Sequence, residues 1–107
     1  MNDNIYYECC KGWYPLIEEA KKLVDEYNKE HPDTNIYFTQ IKEKFGRLNL
    51  YLSVYPESII DKIIEIENKS VNICEDCGKP IKEQTYINGW YYTLYDDCLQ
   101  KQKERFL

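Results

Sequence analysis

The sequence predicts an α+β fold: a helix, a β-hairpin and a second helix in one layer, followed by a small cysteine-bearing module. Three observations carry this expectation. Leu16, Ile17, Ala20, Leu23, Val24 and Tyr27 recur at the spacing of one helical face. Leu48, Leu50, Leu52 and Val54 alternate with Asn49, Tyr51 and Ser53, the period of a half-buried strand. Cys74, Cys77 and Cys98 bracket an Asn88-Gly89 dipeptide, the strongest short signal for a hairpin turn.

Residues 1–13 read as an irregular or short extended lead. Pro15 suits the first turn of a helix, where its missing N–H costs nothing, and Glu18 and Glu19 sit well near the positive end of the helix dipole. The stretch from Asn28 to Pro32 ends that helix, because the residue before proline resists the α region. Residues 35–43 and 47–55 read as paired strands, with Gly46 supplying the permissive backbone of their turn. Pro56 opens a second helix whose Ile59, Ile60, Ile63, Ile64 and Ile66 form a broad apolar stripe, and Ser70 ends it. No repeat, low-complexity stretch or flexible linker interrupts the chain. The expected organisation is an α+β body over 1–73, with a zinc-finger-like module over 74–107 packed on it as one compact unit.

In that module, Cys74-Glu-Asp-Cys77-Gly has the form of a zinc knuckle: two thiolates separated by two residues grip one ion while the glycine lets the chain turn beneath it. Residues 81–87 and 90–94 flank Asn88-Gly89 as a hairpin. Tyr95-Asp-Asp-Cys98 then opens a charged stretch, 99–106, that reads as a short helix. Knuckle, hairpin, and helix with a ligand in its first turn is the order of a treble-clef zinc finger. Tyr95 stands one helical turn before Cys98, where a fourth thiolate would be. Structural zinc is almost always four-coordinate, so Cys9, Cys10, His31, Asp96, Asp97 or a water are the alternatives for the fourth position. The competing reading is three buried thiols without a metal.

Composition narrows the function. The 107 residues carry a net charge of −5, with 14 Lys and Arg against 19 Asp and Glu. The acids concentrate in residues 1–34, whereas Lys42, Lys44 and Arg47 make residues 35–55 basic. An acidic whole argues against a general nucleic-acid binder, whose affinity comes from neutralised phosphates. It fits a protein that meets a basic surface. Eleven Tyr, two Trp and three Phe exceed what one small core can hold, so some of these rings belong at the surface, where Tyr and Trp anchor interfaces. The first ten residues have neither a basic start nor an apolar run, and no stretch reaches the ~18 apolar residues of a membrane helix. Five cysteines without an export signal point to metal rather than disulfides. The expected location is the cytoplasm.

Four blocks carry a resemblance: Gly-Trp-Tyr-Pro-Leu-Ile at 12–17, Gln-Ile-Lys-Glu-Lys-Phe-Gly at 40–46, Cys-Glu-Asp-Cys-Gly-Lys-Pro at 74–80, and Trp-Tyr-Tyr-Thr-Leu-Tyr-Asp-Asp-Cys at 90–98. Together they resemble a group of small proteins of phages and mobile elements whose last segment has Thr-Leu-Cys before its final cysteine. The resemblance implies a Zn2+-binding finger in a phage-type protein and brings no activity with it. Tyr95 departs from that pattern. Small size and acidity are also similar to anti-CRISPR and related anti-defence inhibitors, a likeness of charge and length rather than of motif.

Catalytic patterns are sparse. His31, the one histidine, stands before Pro32 at a helix end. A zinc deaminase needs His-x-Glu followed by Pro-Cys-x-x-Cys, but Ile73 precedes Cys74 and no His-x-Glu occurs. Glu75 and Asp76 between the knuckle cysteines are expected to raise thiol pKa, which disfavours redox work. The first functional expectation is therefore a non-enzymatic, monomeric zinc protein that inhibits a nucleic-acid-handling defence enzyme by binding it. Glu18, Glu19, Asp25, Glu26 and Glu30 would form the partner-binding face. The second is a nucleic-acid or nucleotide-binding finger using Lys42, Lys44 and Arg47, with Trp90, Tyr91 and Tyr92 stacking on bases.

Overall fold

The structure is a computed structural model, and it describes residues 5–105. The fold is mixed α+β. Strand β1 (Tyr7–Glu8) leads into a 3-10 turn (Lys11–Trp13) and helix α1 (Tyr14–Glu30). Strands β2 (Phe38–Lys44) and β3 (Arg47–Leu52) precede helix α2 (Glu57–Ser70). A short hairpin, β4 (Thr85–Ile87) and β5 (Trp90–Tyr92), precedes helix α3 (Asp96–Arg105).

The described part of the lead, residues 5–13, includes the short extended segment expected of it, and residues 1–4 lie outside the described residues. Tyr7 and Glu8 pair in parallel with Ile41 and Lys42, so the first sheet runs β1-β2-β3. Helix α1 buries Leu16, Ile17, Ala20 and Val24, as the periodicity predicts, while Leu23 and Tyr27 are half-buried at its margin. Those residues meet Ile41, Leu48, Leu50 and Leu52 of the sheet and Ile59, Ile63 and Ile66 of α2. Burial of this kind is worth about 1.5–3 kcal/mol for each large aliphatic side chain. By comparison the Lys69–Glu19 ion pair between α2 and α1, at 3.4 Å and half exposed, contributes at most about 1 kcal/mol. Apolar packing, not charge, seats the helices.

Both strands of the body hairpin are shorter than expected. β3 stops at Leu52, and Val54 is 56 % exposed rather than inward-facing. The reason lies in how the edge strand closes. The N–H groups of Leu48, Leu50 and Leu52 point away from β2 and are taken by side-chain oxygens: Ser70 Oγ at 2.9 Å, Glu67 Oε2 at 2.8 Å and Tyr55 Oη at 3.0 Å. Tyr55 folds back to do this, and the chain leaves the sheet before Val54. An unpaired edge is a template for aggregation; here α2 and Tyr55 occupy it. The turn joining the strands holds Phe45 (φ 56) and Gly46 (φ 73), the left-handed pair that a two-residue hairpin requires.

β4 and β5 are also shorter than the sequence suggests, and α3 begins at Asp96, which puts Cys98 in its first turn as expected. No described helix is long and apolar enough to cross a membrane.

Candidate metal centre

After α2 the chain turns sharply and closes a small loop on itself. Cys74 N–H donates to the Lys79 carbonyl at 2.8 Å, and Gly78 N–H donates to the Cys74 carbonyl at 2.9 Å. The Cys77 N–H points at Cys74 Sγ, 3.4 Å away. Beyond the β4–β5 hairpin, Tyr95 O accepts from Leu99 N–H at 2.8 Å and starts α3, whose third residue is Cys98. Asp96 and Asp97 fill its first turn, where negative charge suits the helix dipole.

These local choices bring together the three predicted cysteines. The sulfurs of Cys74, Cys77 and Cys98 all lie within 4.8 Å of one another. Sulfurs bound tetrahedrally at about 2.3 Å from a zinc ion sit about 3.8 Å apart, so the cluster fits a metal ion with little adjustment. Cys74 is fully buried and Cys98 is 9 % exposed, while Cys77 faces solvent.

The electrostatics favour a cation. Burial alone would push the Cys74 thiol up, but the backbone N–H groups of Cys77, Tyr95 and Asp76 converge on it and hold it below its ordinary value. At Cys74 the outcome differs from the expectation that Glu75 and Asp76 raise the thiols, because directed N–H donors outweigh burial. Cys98 is pushed up to about 12, by burial first and then by the two thiols it faces. Three sulfurs this close cannot all ionise unless something positive sits between them. Helix α3 supplies a further reason. Its ten residues are mostly charged, and a helix of that length is unstable alone in water. Cys98 is its one buried anchor among the described residues.

Ties that sequence reasoning missed join this centre to the body. Thr93, fully buried, donates its hydroxyl to the Gly46 carbonyl. Gln84 Nε2 reaches the Gly46 and Phe45 carbonyls at 2.9 and 3.2 Å. Thr93 also exchanges bonds with Glu75: Glu75 N–H to the Thr93 carbonyl at 2.8 Å, and Thr93 N–H to Glu75 Oε2 at 2.9 Å. At the other end, Gly12 N–H donates to the Glu75 carbonyl at 2.9 Å and Trp13 Nε1 to the Ile73 carbonyl at 2.8 Å. A Cβ on Gly12 would fall 2.6 Å from the Glu75 carbonyl oxygen and nearer still to that of Cys74, so only glycine fits. Thr93 and Gln84 carry no sequence signal. The Gly12-Trp13 pair, a bare backbone beside a large ring, is the one such signal in the lead.

The remaining predicted residues scatter. His31 caps the far end of α1, a 17-residue helix and so about 25 Å long. It stacks on Tyr27 and contacts that residue's carbonyl, so it is far from the cysteines. The ring of Tyr95 lies under Lys79 Nζ, 4.6 Å from its centroid, and shares a cavity with Pro80 and Asp96. Asp97 is exposed in the first turn of α3. The acids of α1 are all exposed but do not form one uninterrupted face. Glu19 and Glu26 border the groove between α1 and α2 together with Lys22 and Lys62, and Glu30 continues that stripe toward the C-terminal end of α1. Glu18 accepts from Tyr7 Oη at 2.7 Å beside Lys21, and Asp25 follows two turns later.

No family model matches the chain, and neither a curated protein nor a solved structure matches it.

Proposed function

We propose that the protein is a non-enzymatic zinc protein that works by binding another protein. The observation that carries this reading is a thiol cluster suited to one metal ion beneath a hairpin whose large rings face water. Tyr86 is 62 % exposed, Trp90 68 % and Tyr91 45 %. Rings of this kind anchor protein interfaces, and a metal holding their supporting loop rigid lowers the ordering cost of association. Zinc is the ion of choice for a centre of thiolates on a turn and a helix's first turn, and the order of turn, hairpin and helix supports a treble-clef-like finger.

For the partner, the acids of α1 favour a basic groove. A nucleic-acid-handling defence enzyme such as a CRISPR effector nuclease has such a groove, and an acidic protein seated there blocks nucleic-acid loading without cutting anything. Small size and net acidity, a likeness of charge and length rather than of motif, favour this role. The test is nucleic-acid loading by such a nuclease, measured against increasing amounts of this protein. Wild type is expected to block loading. The triple variant Glu18→Lys, Asp25→Lys, Glu26→Lys should associate more slowly, with the gap widest at low salt. A triple variant as potent as wild type at low ionic strength would rule out this face.

One observation favours a second reading. Lys44, Phe45, Arg47 and Tyr51 line a common surface groove, and Lys42 Nζ sits 5.7 Å over the Tyr51 ring. Cations beside exposed rings suit single-stranded nucleic acid, although Arg47 is already engaged by Glu67 at 3.6 Å. Nucleic acid copurifying with the protein, seen in its ultraviolet absorbance ratio, would favour this reading over the first.

A further inference from the structure

Three sulfurs leave one corner of a tetrahedron to fill. The structure assigns it to Cys10, so that the chain's own N-terminal segment closes the finger; this rests on the zinc reading above. Cys10 and Cys98 line the same cavity, whose rim also carries Asp76. The segment bearing Cys10 is held against the finger by two bonds that bracket Cys74 in sequence, Trp13 Nε1 to the Ile73 carbonyl and Gly12 N–H to the Glu75 carbonyl. Trp13 is fully buried and Gly12 cannot be replaced without a backbone clash, so this placement is built into the core.

Backbone geometry then separates the two neighbouring cysteines. Cys10 is extended, with φ −80 and ψ 162, and successive side chains of extended backbone point to opposite sides. Cys9 packs against the body's core, and Cys10 faces the finger cavity. Other candidates face elsewhere. His31 is at the distant end of α1, and Tyr95 and Asp96 line a different cavity. The three-sulfur set closes without Cys10, so filling the fourth corner requires the exposed Cys10 side chain to turn toward the cluster by a change of staggered rotamer. A thiolate outcompetes the Asp76 carboxylate on the same rim because zinc prefers sulfur in closed structural sites.

The test is zinc-edge X-ray absorption on the full chain loaded with Zn2+. Wild type is expected to show four sulfur neighbours and Cys10→Ser three sulfurs plus one lighter atom. Cys9→Ser should keep four. Gly12→Ala, which removes no sulfur but drives the segment away from the Cys74 and Glu75 carbonyls, should lose the fourth sulfur as Cys10→Ser does. Wild type with three sulfurs, or Cys10→Ser with as many sulfurs as wild type, overturns the assignment and leaves the three-cysteine centre standing. A wild-type chain that takes up no zinc overturns both.

Discussion

Ser70 shows how much one polar side chain can carry. Its hydroxyl donates to the Glu67 carbonyl at 2.5 Å and accepts from Leu48 N–H at 2.9 Å, in full burial. In sequence it looks like a helix stop, and it does end α2. Its second duty, closing the edge of β3, depends on a partner 22 residues away, which no local pattern encodes. Ser70→Ala leaves a buried N–H without an acceptor, an expected loss of about 1–3 kcal/mol, checked by urea unfolding of the variant against wild type. A change below about 0.5 kcal/mol would mean that the strand edge finds another acceptor. The cysteines were legible for the opposite reason: their chemistry demands short, recognisable spacings. Gly12, Gln84 and Thr93 were not, because a close approach and two carbonyl-seeking side chains acquire meaning only in three dimensions.

Among the elements, those with strong periodicity came through. The face of α1 and the alternation of β3 up to Leu52 are as the sequence predicts, since burial on one side selects the register. The stripe of α2 is narrower than expected: Ile59, Ile63 and Ile66 are buried and Ile64 is 42 % exposed. Boundaries moved where tertiary bonds intervene, as where Tyr55 folds back and ends β3 at Leu52. α3 is the element whose stability is borrowed. With ten mostly polar residues it depends on the cysteine centre, whereas α1 and α2 have their own apolar faces. Adding a chelator to the zinc-loaded protein is therefore expected to raise amide hydrogen exchange across residues 96–105 and 74–79, leaving α1 and β3 protected. Lowering the pH should act in the same direction, because ligand thiolates must lose the metal to take up protons. Exchange that rises equally everywhere would show that the finger and body unfold as one unit.

The molecule as a whole places the exposed rings of the β4–β5 hairpin and the acids of α1 at separate sites. Tyr86, Trp90 and Tyr91 project from the short hairpin of the finger, and Phe45 projects from the turn to which Gln84 and Thr93 tie it. The acids of α1 lie on the body, interleaved with Lys21, Lys22 and Lys29. The excess of acid in residues 1–34 was visible in composition; its division into two stripes was not, because helix phase and the lysines of α2 decide it. A partner that uses both features spans finger and body, and the bonds from Gly12, Trp13, Gln84 and Thr93 are what keep their spacing fixed.

Cys74, Cys77 and Cys98 are expected to hold zinc, and the metal content of the full chain tests this most directly. Elemental analysis after purification without chelators is expected to find about one zinc per chain. Less than about a tenth of an equivalent, from protein that remains folded and has its cysteines reduced, would contradict it.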